Sequence, residues 1–171
     1  MNKLIKSSLL VAALFPAVAL AVPVTGDQEV TLGGAGSSDK DFNTTVFALQ
    51  GSWGQYLSDQ SLWGLRQTIN ARDQEGESVK FDGSTRAFYD YHFGNGNTRP
   101  FVGVSLGGLY GDNVDDTFIA GPEIGVKHWV MDKAFITALM EYQFLFKSGH
   151  EANDRFDDGA FFYSVGIGYD F

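Results

Sequence analysis

Hydrophobic and polar residues alternate along most of this chain, so that every second position falls on an apolar face. The alternation is clearest over residues 161–171, where one face carries Phe161, Tyr163, Val165, Ile167, Tyr169 and Phe171. Alternation at period two is typical of β-strands with one face in an apolar environment. Runs of this kind, separated by turn-rich segments, predict eight strands, over residues 29–37, 44–56, 62–72, 84–93, 100–110, 117–130, 134–146 and 159–171.

The connections between these strands alternate in length and polarity. Residues 57–60, 94–98 and 131–133 form tight turns, whereas residues 38–43, 73–83, 111–116 and 147–158 form longer or more polar loops. Outer-membrane barrels show this asymmetry, with the short turns on the periplasmic side. We call the two sides the short-turn end and the loop end. With eight strands, the first and the last strand both reach the short-turn end.

The chemistry of the two strand faces indicates which one points outward. The polar face is rich in Gly and Ser and has a single lysine, which suits the crowded interior of an eight-stranded barrel. The apolar face has aromatic residues near both strand ends, including Tyr56, Trp63 and Phe93 at the short-turn end. We therefore predict an all-β fold, an eight-stranded antiparallel up-and-down transmembrane β-barrel. The alternative is a soluble barrel that encloses a ligand with its apolar face.

Three residues interrupt the pattern. Gln67 and His128 lie on the apolar face, and Pro122 lies inside a predicted strand. Proline cannot donate a ladder hydrogen bond, so we expect a β-bulge at Pro122 that shifts the strand register by one residue.

The predicted inward face carries four acidic and three basic side chains. Charges removed from water persist when they are paired and hydrogen-bonded, so we predict a network of ion pairs that fills the lumen. A narrow channel for small solutes is the alternative, because lumen residues set selectivity wherever a pore exists. The residues of this predicted lumen network are Glu29, Arg66, Arg86, Asp90, Glu123, Lys127 and Glu141.

The first residues have the three parts of a secretory signal peptide. Lys3 and Lys6 are followed by an apolar segment and by the small-residue cleavage site Ala19-Leu20-Ala21. We predict a signal peptide at 1–21, a short tether at 22–28 and one barrel domain at 29–171. Removing the signal peptide takes away two lysines, so the formal charge goes from −9 to −11. This acidity argues against binding to nucleic acid.

The predicted loops hold most of the acidic residues of the chain. Their acids outnumber their bases thirteen to five, a formal charge of −8 on the loop end. A solvated rim explains this composition, and a divalent-cation site is the alternative, because clustered carboxylates suit Ca²⁺. The best metal candidate is Asp112, Asp115 and Asp116, although the spacing is not that of an EF-hand loop. No cofactor is predicted, and the chain has no cysteine to supply a thiolate ligand or nucleophile.

The whole pattern resembles a known family. The residues that carry the resemblance are the run at 103–108, the site at 19–21 and the series Tyr163, Val165, Ile167, Tyr169 and Phe171, which is similar to a C-terminal assembly signal. The chain resembles the small outer-membrane β-barrel proteins, of which the OmpA-type and OmpX-type eight-stranded barrels are examples. The resemblance implies a monomer in the bacterial outer membrane that contacts membrane lipids, lipopolysaccharide and the barrel-assembly machinery. It also implies a structural, adhesive or surface-interaction role.

A second resemblance concerns an enzymatic alternative. Residues 149–153 are distantly similar to the His-x-Ser-Asn segment of outer-membrane lipid A deacylases, with His150 at the histidine position. Ala152 stands where that family has its serine nucleophile. Without the hydroxyl, this activity is not expected.

Overall fold

Eight antiparallel strands form a closed barrel in which each strand pairs with the next and β1 pairs with β8. The structure is a computed structural model that describes residues 23–38, 44–74, 80–111, 114–146 and 160–171. The all-β, up-and-down prediction is therefore confirmed. The strands are β1 Gln28–Ser38, β2 Thr44–Tyr56, β3 Ser61–Gln74, β4 Lys80–His92, β5 Thr98–Gly111, β6 Val114–Trp129, β7 Ala134–Phe146 and β8 Ala160–Asp170. Within these ranges, no helix is long and apolar enough to cross a membrane.

Backbone hydrogen bonds close the barrel at the short-turn end. The register of β1 and β8 pairs Glu29 with Asp170 and continues to Gly34 with Val165. Gln28 and Phe171 exchange two backbone bonds, of 3.1 and 2.8 Å. Gly26 donates to the carbonyl of Tyr56 at 2.8 Å, so part of the segment predicted as a tether is held against β2.

The apolar face of the strands points outward, so the alternative of a soluble barrel with an apolar interior is wrong. Val165 and Ile167 are 61% and 66% exposed, and Val104 is 56% exposed. The neighbouring Ser164 and Asp170 are buried. The barrel thus presents a continuous apolar exterior, which requires an apolar surrounding such as the acyl chains of a bilayer.

Two strands begin earlier than the alternation predicts. β4 begins at Lys80 instead of residue 84, and β6 begins at Val114 instead of residue 117. Their first residues pair with β3 and β5, although the local sequence is polar and contains Gly83. Acidic residues predicted to lie in loops, including Asp73, Asp82, Asp115 and Asp116, therefore have strand backbone.

The expected bulge at Pro122 is wrong. Pro122 faces Val104 in a register that continues unchanged to both sides, and the residues flanking it pair with β7 in one common register. The register shift between β5 and β6 lies instead near the loop end, between Leu109 and Gly111. Gly111 has a φ of +146°, a backbone conformation that glycine adopts without strain.

Gln67, the polar exception on the apolar face, belongs to a closed hydrogen-bonded triad. Its amide nitrogen donates to the hydroxyl of Tyr110 at 2.7 Å, and its amide oxygen accepts from the hydroxyl of Thr85 at 2.6 Å. The hydroxyls of Thr85 and Tyr110 are 3.1 Å apart. The three groups satisfy one another, which makes a polar patch tolerable on a lipid-facing surface.

We expect replacement of Tyr110 by phenylalanine to lower the free energy of unfolding by about 1 kcal/mol, because Gln67 and Thr85 lose a partner where water is scarce. Urea titration of the protein in phospholipid vesicles measures the change. Tyr163→Phe is a matched control, since Tyr163 also faces outward and no hydrogen bond of its hydroxyl is present in the described structure. Equal losses in both variants would contradict a role for the triad.

Candidate functional site in the barrel lumen

Strand alternation turns all seven residues of the predicted lumen network into the barrel, where they are at most 5% exposed. They come from five different strands, so the closed barrel brings together residues that are far apart in sequence. The structure divides them into two clusters of ion pairs and one acid, Asp90, that has no ion-pair partner among the described side chains.

The larger cluster joins two arginines to two glutamates. Arg66 donates to both carboxylate oxygens of Glu123, at 2.7 and 3.1 Å, and lies 3.9 Å from Glu141. Arg86 pairs with Glu141, which also accepts a hydrogen bond from Ser105. Two-pronged contacts between a guanidinium and a carboxylate are among the strongest hydrogen-bonded pairs in proteins, so this cluster ties β3 and β4 firmly to β6 and β7.

The smaller cluster is centred on Lys127. Its ammonium nitrogen donates to both oxygens of Glu29, at 2.7 and 2.6 Å. The hydroxyl of Tyr56 donates to the same carboxylate at 3.0 Å. The ammonium also lies 5.0 Å from the centre of the Phe135 ring, a cation–π contact.

Buried aromatic side chains also point into the barrel, most of them from strand residues near the short-turn end. This corrects two predictions, since the lumen is not filled by polar groups alone and Tyr56 does not belong to the outer aromatic girdle. The ring of Tyr56 is buried and lies 5.9 Å from the ring of His92, which in turn lies 5.2 Å from Phe101. Among the residues whose side chains are described, the other buried aromatic ones are Phe88, Trp129 and Phe135.

Arg99 lies at the short-turn end of the lumen, and its burial there was not predicted from the sequence. It is fully buried, and its guanidinium donates to the backbone carbonyls of Gly94, at 3.1 Å, and Asp59. The side chain thereby joins the β2–β3 turn to the β4–β5 turn beneath the lumen. The indole of Trp129 lies 5.8 Å away and donates to Asp170 at 2.7 Å.

A small cavity of about 30 Å³ lies between the two ion-pair clusters. Glu29, Arg66, Asp90 and Lys127 line it together with Ser52 and other polar and apolar side chains. A cavity of this size has room for a water molecule and not for a larger solute.

The remaining candidates from the sequence lie outside the described side chains or on the outer face of the barrel. The metal candidate Asp112, Asp115 and Asp116 and the enzymatic candidate His150 fall outside the side chains that the structure describes, as does the predicted signal peptide. Within the described ranges, no group of three His, Asp or Glu side chains could hold a metal ion. Phe161, Tyr163, Val165, Ile167, Tyr169 and Phe171 form an exposed outer row along β8 and its end.

No protein-family model matches the chain, and no curated protein matches it. Two solved structures are similar to nearly the whole barrel. The N-terminal β-barrel domain of OprF from Pseudomonas aeruginosa is 20% identical, with a TM-score of 0.58, and the match covers 86% of this chain and 98% of that domain. Neisserial surface protein A (NspA) is 19% identical, with a TM-score of 0.57, and the match covers 85% and 96%. The chain shares with them the fold of a small β-barrel.

Proposed function

We propose that this protein is an integral barrel of the bacterial outer membrane that has a structural, adhesive or surface-interaction role and catalyses no reaction. The apolar exterior and the likeness in fold to the OprF barrel domain and NspA support the location. Fractionation of cell envelopes tests it. We expect to recover the protein in the outer-membrane fraction and to see its gel migration change on heating. Recovery of the protein in the soluble fraction would contradict the proposal.

The side chains that point into the barrel support a second part of the proposal, that the lumen is closed to solutes. Two clusters of paired charges and several buried aromatic side chains point into the barrel, and Arg99 joins two turns at its short-turn end. An eight-stranded barrel is only wide enough for its own side chains. Transport of solutes is therefore not the proposed role, and interactions of the protein take place outside the lumen.

Reconstitution in a planar lipid bilayer tests the blocked lumen. We expect no stable conductance steps from the folded protein, because the proposed plug of ion pairs and aromatic side chains leaves no room for a hydrated ion. Heat-denatured protein in the same detergent serves as the control for leakage. Long-lived steps specific to the folded protein would favour the alternative of a narrow channel for small solutes.

The acidic loops are the proposed surface for interactions. The residues predicted as loops, several of which lie at the ends of strands, have a formal charge of −8, which favours partners that bring cations, such as lipopolysaccharide with its bridging metal ions or basic segments of host proteins. Binding of the folded protein to lipopolysaccharide and to matrix proteins, with and without divalent cations, tests this role. Absence of binding to any of them would leave a structural role in the envelope as the remaining function of this class.

A further inference from the structure

Asp90 is the one charged residue of the lumen network without an ion-pair partner among the described residues, although it is only 2% exposed. On the inner wall it lies in one row with Glu123. One of its carboxyl oxygens, Oδ1, has no hydrogen-bond partner in the described structure, and Asp90 is one of the residues that line the 30 Å³ cavity.

Asp90 and Glu123 lie on either side of one glycine on the inner wall. Asp90 on β4 pairs with Gly103 on β5, and Gly103 pairs with Glu123 on β6, so the three residues form one row across the inner wall. A Cβ atom on residue 103 would lie 2.0 Å from Oδ1 of Asp90. The missing side chain of Gly103 therefore leaves space on the inner wall between the two acids, and Oδ1 of Asp90 occupies it.

We propose that Asp90 and Glu123 form a carboxylic acid–carboxylate pair that binds one proton, with Asp90 as the donor and Glu123 as the acceptor. Two ionised carboxylates are acceptors only, so a hydrogen bond between them needs a proton. Arg66 holds Glu123 in its ionised form through two hydrogen bonds. The proton therefore resides on Asp90.

The number of charges in the lumen supports this assignment. Besides Asp90, the buried charged groups of the described interior are Arg66 on β3, Arg86 on β4, Arg99 on β5, Glu123 and Lys127 on β6, Glu141 on β7, Glu29 on β1 and Asp170 on β8, and the imidazole of His92 on β4 is buried as well. Together with Asp90 they comprise five acids and four bases, one acid more than the bases can neutralise. Binding of one proton leaves four negative and four positive charges, and buried charges are tolerated when they are balanced in this way.

The cavity provides the remaining partner for Asp90. Its lining includes Ser52, Glu29 and Lys127 beside Asp90. A water molecule bound there would donate to the carboxyl group of Asp90 and accept from neighbouring donors, which satisfies a buried acceptor at low cost. The proton site would then be connected to both ion-pair clusters.

Infrared spectroscopy of the barrel in lipid vesicles at neutral pH tests the proposal. We expect a carbonyl band of a protonated carboxylic acid that shifts in D₂O, disappears in Asp90→Asn and persists in the control Asp132→Asn. Asp132 lies in the exposed β6–β7 turn. Absence of the band from the wild-type protein, or its persistence in Asp90→Asn, would overturn the proposal.

A second measurement uses the pH dependence of folding. The folded chain holds a proton that the unfolded chain releases at neutral pH, so the folding equilibrium constant of the wild type should fall relative to that of Asp90→Asn as the pH rises. The fall is up to about tenfold per pH unit, because one proton is involved. Equal pH dependence of the two proteins would contradict a proton bound at Asp90.

Discussion

Replacing Arg66 with methionine is expected to lower the free energy of unfolding by about 3–5 kcal/mol, because the replacement leaves the buried carboxylate of Glu123 without its basic partner. Arg66 supplies both hydrogen bonds of that ion pair and also lies 4.6 Å from the centre of the Phe88 ring. Equilibrium unfolding by urea in phospholipid vesicles measures the loss.

A double variant separates the charge effect from lost packing. Arg66→Met combined with Glu123→Gln has no uncompensated charge at this position, so we expect it to regain most of the stability that the single variant loses. A double variant as unstable as Arg66→Met would show that the loss comes from packing, and it would contradict the role given to the ion pair.

Gly121→Ala is expected to lower the free energy of unfolding by about 3 kcal/mol or more, or to prevent folding. The added methyl group meets backbone atoms, and no movement of a side chain can relieve that clash. Gly121 faces the interior on β6, and an added Cβ would lie 1.7 Å from the backbone oxygen of Tyr142 on β7. Urea titration measures the loss, and heat-dependent gel migration shows whether the variant folds.

Gly108→Ala is the matched control for this substitution. Gly108 also lies in a strand, yet an added Cβ meets no atom within 4 Å. Its stability should stay within about 0.5 kcal/mol of the wild type. If Gly121→Ala were equally harmless, the close contact between β6 and β7 would not exist in the folded protein.

The direction of most side chains could be predicted from the sequence because it depends on a local property. A strand repeats every two residues, so the chemistry of Ser164 and Val165 alone shows which of them faces lipid. The same rule turned Arg66 and Glu123 inward. Their pairing was not predictable, since 57 residues separate them and only the closed barrel brings them together.

The alternation of apolar and polar residues does not predict side-chain direction where both faces of a strand have similar surroundings. At the short-turn end the interior is aromatic, so Tyr56 could not be placed by its apolar character. Arg99 lies just before the position at which the strand was predicted to begin, next to Pro100, and its burial depends on two turns distant in sequence. The early starts of β4 and β6 were missed because polar residues near the loop end resemble loop sequence.

The central claim is that the apolar face of the strands contacts acyl chains and the charged face lines the lumen. A carbene-generating photoprobe dissolved in the acyl chains of vesicles that contain the folded protein tests it, with adducts located by mass spectrometry. Along β8 we predict adducts on Tyr163, Val165 and Ile167 and none on Ser164. Adducts on Arg66, Glu123 or Lys127, with Val165 and Ile167 unlabelled, would contradict the claim.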